Sequence, residues 1–156
     1  AGSTAYFHGG LSPQEILLPV IVATPTAIGK AKGARKLTWD VALGSAKITA
    51  RFLSVRIQAR SGGLFEEAWP LVRVEVRAGG EVCAIPVSAS YGYQEATGAV
   101  ALRSSEANAA ETEVNTVALM LTGKAPQRGV VSVHVVDAAS GVDLKKLENV
   151  EVSLAI

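Results

Sequence analysis

"LVRVEVRAGGEV", Leu71 to Val82, decides the reading of this chain. Val72, Val74 and Val76 alternate with Arg73, Glu75 and Arg77. Successive side chains on an extended backbone point to opposite faces, so this is a strand with one apolar and one charged face. Gly79-Gly80 follows at once. Two adjacent glycines accept the positive φ of a two-residue hairpin turn, and a return strand is expected from Val82 to Ala89.

Working outward, the same period continues. "AKITARFLSVRIQAR", "GAVALRS", "NTVALMLTG", "GVVSVHVVDA" and "NVEVSLAI" all read as strands. In the last, Val150, Val152, Leu154 and Ile156 share a face. In the first, the apolar phase shifts near Phe52-Leu53, which predicts a bulge or bend. "SSEANAAETE", Ser104 to Glu113, reads as a loop or one helical turn. Seven or eight strands at short spacing, with glycine-rich turns, predict a mainly β domain over residues 37–156. Its form is an antiparallel sandwich of Ig-like type, with a closed barrel as the alternative.

Residues 1–24 differ in kind. Ser12-Pro13-Gln14-Glu15 is a capping box with proline at the first helical position. Pro19 clashes with the carbonyl four residues back, so the helix is short, about Pro13 to Leu18. "VIVA", Val20 to Ala23, is apolar on both faces and suits a strand covered on both sides. This helix and strand are expected to belong to a larger domain. "TPTAIGKAKGARK", Thr24 to Lys36, carries proline, two glycines and four basic residues. It reads as a solvated connector, so the division is 1–24, a linker at 25–36, and 37–156.

The composition is that of a globular protein, 49% hydrophobic and 19% charged. Fifteen basic and 14 acidic residues leave a formal charge of +1. That balance gives no support for nucleic acid or an anionic membrane as a partner. No apolar run approaches the roughly 20 residues that span a bilayer. "ILLPVIVA" has no charged segment before it and is broken by Pro19, so it does not read as a signal peptide. The single cysteine, Cys83, can form no internal disulfide. In "EVCAIPVSAS" it shares a phase with Ile85, Val87 and Ala89, and reads as a small inward-facing hydrophobe. A reducing compartment fits this usage.

Chemistry-bearing motifs are sparse. HExxH, CxxC, GxSxG, Walker and GxGxxG patterns do not occur. His134, in "VSVHVVD", is in phase with Ser132 and opposite Val131, Val133 and Val135, so it reads as solvent-facing. Glu66-Glu67 are adjacent loop carboxylates that an extended backbone points apart. "YGYQEATG", Tyr91 to Gly98, reads as a turn with packed tyrosine, and with Ala138–Gly141 it is the best loop for contacts. His8 stands apart. It precedes Gly9-Gly10, which permit close backbone approach, and a helix N-terminus follows, which favours negative charge nearby.

"YFHGGLSPQEILLPVIV", Tyr6 to Val22, resembles the C-terminal end of catalytic domains in the alkaline phosphatase superfamily. It looks most like the PglZ family of bacterial phage growth limitation (BREX) antiviral defence. "VRVEVRAGGEVCAIPVSASYGYQEATGAVALR", "NTVALMLTG" and "VSVHVVDAASGVDL" look like the region after that domain. The resemblance implies that residues 1–24 end an α/β phosphatase-like domain and that 37–156 form an accessory docking or assembly domain. It implies that His8 is a metal ligand, zinc being the expected metal, in a full-length metal-dependent hydrolase whose other ligands and nucleophile lie upstream. No catalytic residue and no cofactor are then expected in this chain alone. Its partners would be the parent's own catalytic domain or other components of a cytoplasmic defence system. An independent Ig-like binding module is the alternative.

In the full-length parent, His8→Ala should lower metal content and any phosphatase activity while leaving the fold intact. Ser12→Ala should instead cost about 1 kcal/mol of stability, the scale of a lost N-cap, with activity retained. Metal analysis of the two proteins checks this, and equal occupancy with and without His8 would make that residue structural.

Overall fold

Valine alternation sets the architecture. A computed structural model describes residues 37–62 and 68–154. The strands are β1 Leu37–Leu43, β2 Phe52–Ser61, β3 Leu71–Ala78, β4 Glu81–Val82 and β5 Ala84–Ala89. They continue as β6 Tyr93–Gln94, β7 Ala99–Ala101, β8 Asn115–Leu121, β9 Arg128–Asp137 and β10 Asp143–Ser153. Sheet one has the order β1-β2-β8-β5. Sheet two has the order β10-β9-β3-β7-β6, with β4 also on β3. Every named strand pair is antiparallel. No helix occurs among the described residues, and none there is long and apolar enough to cross a membrane.

The inner faces of the two sheets meet in one core, which makes the fold an antiparallel β-sandwich. Val55, Ile57, Val117 and Leu119 come from sheet one, and Val72, Val74, Val76, Val133 and Val135 from sheet two, all fully buried. Each such side chain contributes roughly 2 kcal/mol relative to exposure. Val150 and Val152 join this core from β10, and Leu154 packs against it. The hairpin turn forms as the sequence implies, with Gly79 and Gly80 at φ 57° and 91°. The expected phase shift at Phe52-Leu53 is a strand start. Residues 44–51 form a loop whose Ile48 pairs with Val152 of β10, tying sheet one to sheet two. Ser104 to Glu113 is a loop held by bridges Ser104↔Thr112 and Arg60↔Glu111.

The return strand departs from its expected form. It breaks at Cys83, where the chain passes from one sheet to the other. The Cys83 N–H donates to the Val76 carbonyl of β3 at 2.8 Å. The Cys83 carbonyl accepts from the Thr122 N–H at 2.9 Å and from its hydroxyl at 3.1 Å, just past β8. This handover inverts the side-chain phase. Cys83 is buried as expected, and Ala84 beside it also faces the core. Ile85 and Val87, expected to look inward, are 46% and 38% exposed. Alternation persists only within one continuous strand, and here there are two.

Residues 1–36 lie outside the described residues. The capped helix, the "VIVA" strand, the linker and His8 are therefore not placed, and neither are Glu66 and Glu67.

Candidate functional site

The charged face of β3 lies on the outside of sheet two, and it is not simply solvated. Glu75 is only 7% exposed. Its carboxylate accepts from Arg73 Nε at 2.8 Å and from Arg77 Nε and Nη2 at 3.0 and 2.7 Å. Residues two apart on a strand share a face, so Arg-x-Glu-x-Arg places one acid between two cations. Burial alone would raise the Glu75 carboxyl. The hydrogen bonds and charges of Arg77 and Arg73 outweigh it and hold the group below its usual range.

A second polar chain adjoins the first. Glu75 is registered against His134 on β9, and Arg77 against Ser132. Ser132 Oγ lies 2.8 Å from His134 Nε2, and His134 Nδ1 lies 2.9 Å from Asp143 Oδ2 on β10. A carboxylate has only acceptors, so Nδ1 carries a proton toward Asp143, and the Ser132 hydroxyl lies between Nε2 and the Arg77 carbonyl, which it reaches at 3.4 Å. Arg77 Nη1 reaches the other Asp143 oxygen at 3.4 Å. An open groove of about 340 Å³ borders the network, lined by Arg77, Gly79, Gly80, Ser132, Glu148 and Asn149 among others. It lies where β10 changes register between Leu147 and Val150, with Asn149 at φ 57°.

His134 thus has the phase that alternation gives it but not the exposure. It faces away from the core, yet is only 4% exposed because both ring nitrogens are bonded to neighbours. Reading it as solvent-facing is corrected on that ground. Sequence reasoning missed this cluster altogether. Ser132 and His134 share a face by spacing, but Asp143 arrives only through the β9–β10 hairpin and a register shift next to it.

The two loops expected to make contacts are held in place by hydrogen bonds. Tyr91 Oη donates to the Glu113 carbonyl at 2.7 Å, and Arg103 stacks 4.5 Å from the centre of its ring. Tyr93 Oη donates to the Pro86 carbonyl at 3.0 Å. Packed tyrosines, as the sequence implies, close the 91–98 turn. At Ala138–Gly141, Asp137 Oδ1 accepts from the amides of Ala139 and Ser140 and from the Ser140 hydroxyl. The Ser140 amide bond leads in holding the Asp137 carboxyl below its usual range.

The outside of sheet one is different again. Phe52 of β2 and Ile85 of β5 both stand opposite Met120 of β8, forming one row across three strands. Phe52 is 65% exposed. Side chains directly opposite are about 5 Å apart at Cβ, close enough to make a continuous apolar strip. Val87 extends it at the β5 bulge. Arg56, two positions along the same face from Ser54, is exposed. No group of three or more His, Cys, Asp or Glu that could hold a metal occurs among the described residues.

Comparison with family models, curated proteins and solved structures finds no match to this chain.

Glu75 gives a signed test. A carboxyl held low in the folded state adds stability above its ordinary value of 4.5, and that stability disappears as pH falls through the lower folded value. Glu75→Gln should therefore cost about 2 kcal/mol at pH 7, the scale of hydrogen bonds to a charged group. The gap to the unsubstituted protein should close in acid. Urea unfolding across that range is the measurement.

Proposed function

We propose that the chain is the C-terminal accessory domain of a PglZ-type phage-defence protein, acting in the cytoplasm by docking. Its partner in this reading is the parent's own catalytic domain or another component of the defence system. Any phosphatase-like chemistry then belongs to the parent, with His8 among the ligands of a divalent metal, zinc, completed by upstream residues. The resemblance of Tyr6–Val22 and of the strands after Val72 supports the family.

One observation carries the docking role: the exposed Phe52–Met120–Ile85 row. A large aromatic and a branched aliphatic held side by side on a rigid sheet are the type of anchor that dominates protein interfaces. Isolated apolar residues on a surface mean little, but a contiguous row does. The two-sheet antiparallel architecture also suits an independent Ig-like binding module, which would use the same row. An upstream metallophosphatase domain in the parent gene favours the first reading, and a signal peptide or tandem sandwiches favour the second.

Calorimetric titration of the chain with the parent's separately purified catalytic domain tests the docking role. Phe52→Asp with Ile85→Asp should weaken binding at least tenfold, about 1.4 kcal/mol, with the melting temperature unchanged. Equal affinity of this variant and the unsubstituted chain would remove the row from the interface.

A further inference from the structure

We propose that Ser132, His134 and Asp143 form an acyl-transfer site that hydrolyses small carboxylic esters, with Ser132 as the nucleophile. This goes beyond docking and uses the opposite sheet.

The geometry has the order that acyl transfer needs. The serine hydroxyl meets Nε2 at 2.8 Å, and the carboxylate meets Nδ1 at 2.9 Å. Asp143 thereby positions the ring, and with the Nδ1 proton directed at it, neutral His134 has Nε2 as its basic nitrogen. Ser132 is partly exposed and lines the groove, whereas the His134 side chain is 5% exposed and shielded from water. Such shielding strengthens the electrostatic effect of the groups around the ring.

Arg77 supplies the fourth part. It is the cross-strand partner of Ser132 and lines the same groove. Its guanidinium is held by Glu75 and Asp143, and its backbone carbonyl lies 3.4 Å from Ser132 Oγ, so a fixed cation belongs to the strand position paired with the nucleophile. A fixed cation can stabilise the negative charge that develops on an attacked carbonyl oxygen.

The reaction balances without a metal or redox partner. Ser132 Oγ bonds to the ester carbonyl carbon while its proton passes to His134 Nε2. The tetrahedral intermediate collapses, the bond to the alkoxy oxygen breaks, and His134 returns the proton to the departing alcohol. Water then attacks the acyl-serine in the same way, giving its proton to His134 and releasing the acid, and Ser132 Oγ recovers a proton. The groove, about 340 Å³ and open to solvent, suits short acyl groups rather than long chains.

The test uses the whole chain with p-nitrophenyl acetate and a fluorophosphonate probe. A metal chelator is present throughout, so a contaminating metallohydrolase is silenced. The expected result is turnover and a probe adduct mapped by mass spectrometry to Ser132. Ser132→Ala should abolish the adduct, and His134→Gln should slow turnover and labelling roughly 100-fold, the scale of a lost general base. Asp143→Asn should lower kcat with KM little changed, and Asp143→Glu should restore part of it. Ser54→Ala, on the other sheet, should label normally. Circular dichroism confirms that each variant is folded. Absence of a Ser132 adduct in folded protein overturns the proposal. So does labelling of equal rate in folded His134→Gln.

Discussion

The backbone handover at Cys83 is the constraint on which the rest of the sandwich depends. One residue donates to Val76 in sheet two and accepts from Thr122 beside sheet one. Its side chain is buried between the sheets. A polar side chain there would lack a partner in an apolar setting, at a cost of about 1–3 kcal/mol. A small, weakly polar thiol fills the place without that cost. The handover stitches the sheets at one position and the Ile48–Val152 bridge stitches them at another. Between these lies a core made mostly of valine, whose stiff branched side chains suit a pleated surface.

The handover also decides what the protein shows to its surroundings. Had the strand run on unbroken from Val82, Ile85 and Val87 would lie on the core side. The switch turns both outward, in line with Met120 and Phe52. Sheet one therefore carries its apolar row because the chain changed sheets. Sheet two stays on one register through β3 and β9, and two of its outward cross-strand pairs set polar against polar: Glu75 with His134, Arg77 with Ser132. The result is two unlike surfaces, one apolar and unpaired, one densely hydrogen-bonded.

Much of the fold was legible because it follows from period two. Val72, Val74 and Val76 are buried, Gly79-Gly80 turns, and Val150 and Val152 face the core, all as spacing implies. The features that escaped depend on partners far along the chain. The break at Cys83 depends on Thr122, 39 residues away. The burial of His134 depends on an aspartate across a hairpin whose register shifts beside it. Alternation assigns a face, but not whether neighbours on that face will enclose a residue. Arg-x-Glu-x-Arg was visible as a charged face, and only the structure shows the acid clamped between its flanking cations.

Amide hydrogen exchange at Cys83 tests the central constraint most directly. If both sheets hang on this residue, its N–H is among the slowest in the chain and exchanges only through global unfolding. Its protection then falls with added denaturant in step with the Val74 and Val133 amides of the core strands. Rapid exchange at Cys83 through a local opening insensitive to denaturant, with those amides still protected, would contradict the account.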